Sequence, residues 1–281
     1  MRRLVLVLGA AGQLGEVMTE HLASHHEVLA RTRAELDVTD VRAVRDAIAS
    51  LCPDVIVNCS AYTKVDDAER DPLQALSVNA LAVRTMARAA AEIDATLVHY
   101  STDFVFAGTE QRELTEEDPP NPGGMYALTK LLGEWHAADA PRHYVLRVES
   151  LFGGPSARSS VDKLLDGIVA GREVRAFCDR TVSPSFVFDV AQATSALIER
   201  NAPFGLYHCV NTGWTTWSAL ARELARIVDS PDAQIVDVPM KDAALLANRP
   251  QYAALSNAKL TAAGIPMPTW QDALARYVKR P

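Results

Sequence analysis

The fold is decided by one stretch near the start of the chain, Leu4-Val5-Leu6-Val7-Leu8-Gly9-Ala10-Ala11-Gly12-Gln13-Leu14-Gly15. Its first five residues form a continuous apolar run, which is typical of a central parallel strand covered by helices on both faces. The GxxGxxG spacing then allows a tight turn, a close approach of backbone to a pyrophosphate, and close packing of helix on strand. The helix opening at Gln13 presents free N–H groups to that phosphate. The stretch therefore predicts a dinucleotide site.

Further apolar runs alternate with helical patterns through the first half of the chain, at 27–30, 54–58, 96–100 and 144–148. This alternation predicts an α/β fold with a doubly wound parallel (Rossmann) sheet, whose ligands bind at the carboxyl ends of the strands. The rhythm changes after about residue 149. We assign residues 1–148 and about 182–200 to the dinucleotide-binding domain. We assign about 149–181 and 201–281, including a strand at 206–210, to a smaller C-terminal α/β substrate-binding lobe.

Composition excludes several function classes. The net charge of −7 and the lack of a basic run argue against a nucleic-acid partner. No apolar run reaches the ~20 residues that span a bilayer, so no membrane partner is expected. The four cysteines lack CxxC spacing, which favours small buried side chains in a reducing compartment over a metal site. We therefore expect a cytoplasmic protein, and the sequence leaves monomer and homodimer open.

Polar residues follow the second strand, where Arg31 occupies the position at which an acid would bind the ribose hydroxyls of NAD. An Arg suits the 2′-phosphate of NADP, although a solvated loop charge is an equal alternative. Asp37 could reach the adenine edge. Asn79 falls inside a long helix predicted over 72–93, either bonded to backbone near a strand end or solvated.

A Tyr and a Lys stand four residues apart at Tyr126 and Lys130, on a segment predicted to be helical. That spacing places them on one helix face, about one turn apart. The ammonium is expected to lower the pKa of the Tyr126 phenol, which suits a group that passes a proton to a substrate oxygen. Ser101, Thr102 and Asp103 end a strand, and a hydroxyl there could bond the same oxygen or simply cap a turn.

These motifs together resemble the extended short-chain dehydrogenases/reductases and, more narrowly, the dTDP-4-dehydrorhamnose reductase family. The similarity runs from Met1 to about Tyr277. It includes 54–58, 65–69, 99–103, 205–208, 215–217 and the pair Arg249-Pro250. The resemblance implies that NADPH or NADH delivers hydride to the C4 ketone of a dTDP-linked 6-deoxy-4-ketohexose, most simply dTDP-4-dehydro-L-rhamnose.

The resemblance also assigns roles to residues of this chain. The catalytic residues would be Thr102, Asp103, Tyr126 and Lys130, with Tyr126 as the proton donor and Lys130 holding the nicotinamide ribose. The substrate would contact Thr102, Asp103, Ser150, Trp217 and Arg249. With the glycine motif, the predicted cofactor-binding set is Gly9, Gly12, Gln13, Leu14, Gly15, Arg31, Asp37, Val38, Ser60, Ala61, Tyr62, Thr63, Asn79, Tyr100, Tyr126 and Lys130.

The chain departs from the family pattern at three places. Phe104 replaces a Tyr, which should matter little. Ser150 stands at or near a position where the family often has Trp, so a related keto-sugar becomes an alternative substrate. Some family members bind magnesium through glutamates near the first helix. Glu16 is out of register for this role, and we expect no metal.

Two other functions stay open at this stage. One is a non-catalytic, NADP-binding regulatory subunit, since the β-subunit of methionine adenosyltransferase resembles the same family. The other is a sugar-nucleotide epimerase or dehydratase, which usually has an acid after the second strand where this chain has Arg31.

Overall fold

A computed structural model describes residues 2–155 and 159–279 of the chain. The strands in these ranges are β1 Leu4–Leu8, β2 Glu27–Arg31, β3 Val55–Asn58, β4 Thr96–Thr102, β5 His143–Val148, β6 Leu151–Phe152, β7 Val174–Phe177, β8 Thr181–Val182, β9 Ser185–Phe186, β10 Gly205–His208, β11 Thr215–Thr216 and β12 Ile235–Val238. The α-helices are α1 Gln13–Ala23, α2 Val41–Leu51, α3 Val65–Arg70, α4 Pro72–Leu76, α5 Ala82–Glu92, α6 Met125–Ala137, α7 Ser160–Val169, α8 Val187–Arg200, α9 Trp217–Ile227, α10 Ala258–Ala262 and α11 Trp270–Val278.

The main sheet has six parallel strands in the order β10-β5-β4-β3-β1-β2. Strand order reverses between the neighbours β1 and β3, so the carboxyl ends of these two strands border a crevice, where doubly wound sheets bind their ligands. The predicted fold class, a doubly wound parallel sheet, is confirmed.

One strand was expected in the wrong unit. The run predicted at 206–210 in the smaller lobe is β10, which pairs in parallel with β5 and completes the main sheet. Its first two residues, Gly205 and Leu206, are only half-buried, since β10 lies at an edge. The helix α8 crosses over the sheet beside α1 and returns the chain to that edge. The rest of the domain division remains a prediction.

Two apolar layers enclose the main sheet. Helices α1 and α8 cover one face, with a core that includes Val5, Val17 and Leu197. Helices α2 and α5 cover the other face, with a core that includes Leu6, Ile48 and Met86. Alternate residues of β1 thus enter opposite layers, which is why its sequence is apolar throughout.

The helix predicted over 72–93 is interrupted. Between α4 and α5, residues Ser77–Leu81 form a π-helical turn. Such turns often occur at functional sites. Here the turn carries Asn79, which is 1% exposed and points toward the loop after β3.

The remaining segments form the smaller lobe, built around three two-stranded ladders, β6–β9, β7–β12 and β8–β11. Its core packs α7, α9 and α11 together through residues such as Phe152, Phe186 and Leu224. None of the described helices is long and apolar enough to cross a membrane.

Candidate active site

The glycine-rich turn between β1 and α1 has the backbone that its sequence predicts. Gly9 has φ of +73°, and a Cβ there would lie 2.7 Å from the backbone nitrogen of Ser60. A Cβ on Gly15 would collide with the carbonyl oxygen of Gly9. Gly12 is less crowded, its nearest such neighbour being the Gly9 oxygen at 3.2 Å. The tight turn therefore requires glycine at position 9, and the close packing of α1 on the turn requires glycine at position 15. Gly12 is not crowded in this way, and the space around its Cα stays open.

A cavity of about 440 Å³ opens beside this turn, at the carboxyl ends of β1, β2 and β3. Half of the predicted cofactor residues line it, namely Gly9, Gly12, Asp37, Val38, Ser60, Ala61, Tyr62 and Thr63. Its further lining, which the sequence did not single out, consists of Ala11, Arg33, Leu36, Cys59, Lys64, Gln74 and Val78. The size and the mixture of apolar walls with few polar groups suit a nucleotide.

Of the two arginines that end or follow β2, Arg33 lines the cavity and Arg31 does not. Arg31 is the last residue of β2, and its Nη1 donates to the carbonyl of Ala30 at 3.0 Å. Arg33 lines the cavity, where its Nε donates to Asp37 Oδ2 at 3.2 Å. The sequence offered both arginines, but it could not show that β2 extends through Arg31.

Two buried asparagines shape the loop after β3. Asn58 accepts hydrogen bonds from the backbone N–H and the hydroxyl of Ser60. Asn79 accepts from the backbone N–H of Tyr62 at 2.8 Å and donates to the Tyr62 carbonyl at 3.1 Å. Asn79 therefore bonds to backbone, as one of its two predicted roles requires. Through these bonds it fixes the position of Tyr62 in the cavity wall.

Two other predicted cofactor residues have structural contacts. Gln13 Nε2 donates to the carbonyl of Gly153 at 2.9 Å, which ties the start of α1 to the smaller lobe. Leu14 is 7% exposed and belongs to the core under the sheet. Neither side chain lines the cavity, so any contact with a cofactor would come from their backbone.

The predicted proton-transfer residues converge where β4 ends and α6 begins, at the same edge of the sheet as the cavity. The Tyr126 phenol lies beside the Thr102 side chain, close enough for the Thr102 hydroxyl to affect the pKa of the phenol. One turn further along α6, Lys130 Nζ donates to the carbonyl of Tyr100 at 2.5 Å. Tyr100 contributes through this carbonyl, since its hydroxyl is 2.7 Å from Thr194 Oγ1 in the core. Asp103 Oδ1 accepts from Thr102 at 2.9 Å.

The expected direction of the Tyr126 pKa was wrong. Burial raises the pKa of Tyr126, the neighbouring Thr102 hydroxyl lowers it, and the nearby Asp103 raises it further. The Lys130 ammonium is turned to the Tyr100 carbonyl, and burial lowers its own pKa to about 8. Helical spacing places Tyr126 and Lys130 on one face of α6. The direction of the Tyr126 pKa shift, however, is determined by burial of the phenol.

Two predicted substrate residues are engaged elsewhere. Trp217 is 8% exposed and packs in the core of the smaller lobe, so its predicted substrate contact is not supported. Arg249 forms a two-pronged ion pair with Asp66, with both nitrogen–oxygen distances at 2.9 Å. This pair connects the segment between β12 and α10 to α3, so the Arg249 charge is already balanced.

Ser150 follows β5 in a left-handed conformation, with φ of +46°. Residues other than glycine rarely adopt this backbone conformation, and those that do cluster at functional sites. Ser150 is half-buried, and its position beside the ends of β4 and β5 is compatible with the predicted substrate contact. Among the described residues, no group of three or more His, Cys, Asp or Glu side chains could hold a metal ion.

A site of this kind on such a sheet defines a Rossmann-type oxidoreductase. The family model described as RmlD substrate binding domain matches residues 1–281. The chain belongs to this family, and its curated relatives are named dTDP-4-dehydrorhamnose reductases. The predicted family and the predicted enzyme class are therefore confirmed.

Individual relatives match over nearly their whole length. The dTDP-4-dehydrorhamnose reductase of Streptomyces griseus is 36% identical over 279 residues, which cover 96% of this chain and 91% of the relative. A probable dTDP-4,6-dihydroxy-2-methyloxan-3-one 4-ketoreductase of Streptomyces antibioticus is 35% identical, covering 96% and 92%. The crystal structure of dTDP-4-dehydrorhamnose reductase from Bacillus anthracis in complex with NADP superposes with a TM-score of 0.94 at 28% identity, covering 99% of each chain.

Proposed function

We propose that this protein reduces the C4 ketone of a dTDP-linked 4-dehydro-6-deoxyhexose with NADPH, converting dTDP-4-dehydro-L-rhamnose to dTDP-L-rhamnose. The observation that carries the proposal is the close approach of Thr102 and Tyr126, with Lys130 one turn further along α6, at the same edge of the sheet as a nucleotide-sized cavity. Relatives that bear this enzyme's name support the choice of substrate, and a relative solved with NADP supports the choice of cofactor.

The residues around the cavity fit the proposed cofactor. Gly12 and the start of α1 would receive the pyrophosphate, because free N–H groups and the helix dipole meet there. Arg33 would face the adenosine 2′-phosphate, and Lys130 would face the nicotinamide ribose. Bound NADPH supplies the hydride.

The chain's own residues then manage the proton. Tyr126 gives its phenolic proton to the C4 oxygen as negative charge develops there. Thr102 orients the phenol and hydrogen-bonds the same oxygen. The high pKa of Tyr126 keeps the phenol protonated until reaction. The phenolate that forms would be stabilised by the Lys130 ammonium, one helix turn away.

A second substrate is favoured by Ser150, the small side chain at the end of β5. Without a bulky aromatic wall at this point, the site could take a dTDP-4-keto sugar of different shape. The relative from Streptomyces antibioticus, named as a ketoreductase for another deoxysugar, supports this candidate.

One experiment separates these functions. NADPH oxidation is followed at the nicotinamide absorbance with dTDP-4-dehydro-6-deoxyglucose as substrate, with and without the 3,5-epimerase that produces the rhamnose precursor. Oxidation only with the epimerase supports dTDP-L-rhamnose formation. Oxidation without it identifies the second substrate class. No oxidation by a protein that still binds NADPH would sink the proposal and favour a regulatory role.

The proposal includes a cytoplasmic enzyme acting as a monomer or homodimer. All four cysteines are free, which fits a reducing compartment. Size-exclusion chromatography with light scattering measures the oligomeric state directly.

A further inference from the structure

Two buried ionisable side chains beside the proton-transfer site have no role in the steps above, Glu149 and Arg180. Glu149 is 2% exposed and Arg180 is 9% exposed, and Asp103 between them is 2% exposed. Thr102 and Val148 are register partners on β4 and β5, so Asp103 and Glu149 leave the sheet side by side, about 5 Å apart along the backbone. Two acids therefore share a dry site with one cation.

The hydroxyl of Thr102 connects this cluster to the reaction. Thr102 Oγ1 accepts from the backbone N–H of Phe104 at 3.2 Å and donates to Asp103 Oδ1 at 2.9 Å. A hydroxyl has a single proton to donate. While Asp103 is ionised, that proton is held by Asp103 and is not offered to the substrate. A neutral Asp103 can donate to Thr102 instead, which frees the Thr102 proton.

Burial favours the neutral form of both acids. It raises the pKa of Asp103 and raises the pKa of Glu149 well above its usual value, and the neighbouring Asp103 raises that of Glu149 further. Glu149 Oε2 accepts from the backbone N–H of Ser183 at 2.6 Å. Among the described residues, Asp103 Oδ2 and Glu149 Oε1 are buried without a hydrogen-bond partner. Two adjacent carboxyl groups beside one cation are expected to keep one proton between them.

Arg180 balances the remaining charge and touches the reacting phenol through an aromatic ring. Its Nε donates to the carbonyl of Pro250 at 3.3 Å, and its guanidinium carbon lies 5.4 Å from the Phe104 ring centre. The Phe104 ring in turn meets Tyr126 edge-on at 5.3 Å. The cluster is thus packed directly behind the catalytic pair of Thr102 and Tyr126.

We propose that Glu149 and Arg180 are positioning residues that keep one proton on the Asp103–Glu149 pair, so that Asp103 donates to Thr102 and Thr102 donates to the reacting oxygen. The inference rests on the proposed ketone reduction. The pair is not consumed, because Tyr126 supplies the transferred proton.

The pH dependence of kcat tests this role. The charged or titratable groups facing the pair are Arg180 on the segment before β8, Tyr126 on α6 and, beyond Arg180, Arg249. In the wild-type enzyme, kcat should hold until Lys130 loses its charge near pH 8. A fall in kcat that begins at a lower pH would therefore reflect deprotonation of the Asp103–Glu149 pair and not of Lys130.

Glu149→Gln leaves Asp103 as a lone acid beside Arg180, whose charge lowers the Asp103 pKa, so the alkaline limb of the kcat–pH profile should move to lower pH. At pH 7.5 kcat should fall at least about tenfold, while recovering at low pH, because each unit between pH and pKa is a factor of ten. Adding Arg180→Gln removes the cation that favours the Asp103 carboxylate and should move the limb up again. Glu149→Asp keeps a second acid and should restore much of the wild-type profile.

The controls distinguish positioning from loss of structure. Glu117→Gln, at an exposed glutamate, should leave the profile unchanged. NADPH affinity, measured by fluorescence, should be unchanged in each variant. A fall in kcat that is equal at every pH, with an unmoved limb, overturns the inference. No turnover by the wild-type protein instead overturns the proposed function.

A second measurement does not depend on the variants' folding. Infrared spectra of the wild-type protein with NADP, compared between unlabelled and ¹³C-Asp/Glu-labelled samples, report a protonated carboxyl group through its carbonyl stretch. We expect that band at pH 7.5. Its absence means that both acids are ionised and overturns the shared proton.

Discussion

The choice between two neighbouring arginines gives a sharp test of the cofactor site. Arg33 lines the cavity and, within residues 2–155 and 159–279, has Asp37 as its single ionic partner, whereas the Arg31 guanidinium is turned back to the Ala30 carbonyl. Arg33→Ala should therefore weaken NADPH binding while leaving NADH binding nearly unchanged, because only NADPH carries the 2′-phosphate.

The size of the effect follows from the exposure of Arg33. A hydrogen bond to a charged group contributes about 1.5–3 kcal/mol. The Arg33 side chain is 79% exposed and must exchange Asp37 for the phosphate, so the lower figure applies. That corresponds to about a tenfold increase in the KM for NADPH. Initial rates of sugar-dependent oxidation with each nucleotide measure it.

Matched variants complete the test. Arg31→Ala should change both KM values less than about twofold, because the Arg31 guanidinium is turned to the Ala30 carbonyl and does not line the cavity, and a screened charge away from the ligand contributes little. Asp37→Asn should lower the KM for NADPH, since it removes an anion and releases Arg33, while the amide oxygen can still accept from Thr39. A selective NADPH defect in Arg31→Ala, with none in Arg33→Ala, would refute the assignment of Arg33.

Three further outcomes follow from the contacts described. Tyr126→Phe should lower kcat at least about 100-fold with unchanged NADPH affinity by fluorescence titration; retained turnover would remove Tyr126 from the acid role. Gly15→Ala should abolish NADPH binding or folding, because its Cβ collides with the Gly9 carbonyl; normal affinity would contradict this packing. Pairing with Arg249 lowers the Asp66 pKa from 3.8 to about 2, so its stability contribution is present above pH 3.8 and lost toward pH 2. Asp66→Asn should cost about 1 kcal/mol or less at pH 7 by thermal unfolding and nothing at pH 2; an equal cost at both would contradict the linkage.

Features set by local physics could be predicted from the sequence. The glycines of the first turn and the apolar β1 follow from backbone sterics and from burial on two faces. The common face of Tyr126 and Lys130 follows from helix geometry. Each of these depends on residues close together in the chain.

Features that depend on distant residues could not be predicted. The edge strand β10 is short and half-buried, so nothing local distinguished it from a strand of the smaller lobe. Arg249 was predicted to contact the substrate, because its partner Asp66 lies 183 residues away and no local pattern indicates their ion pair. The sign of the Tyr126 pKa depended on burial, which no spacing rule reports.

The residues that donate and accept protons and those that tune them come from different parts of the chain. Thr102 and Tyr126 lie on β4 and α6, where strand and helix patterns place them at the sheet edge. Glu149 and Arg180 lie just beyond the change in rhythm and reach the site only because β5 runs beside β4 and because Ser183 binds Glu149. A Tyr-x-x-x-Lys motif therefore indicates which group can give a proton, but the protonation state of its neighbours is set by segments that the motif does not contain. In this protein that second layer is an acid pair with one cation, and its pH dependence should be separable from that of the motif itself.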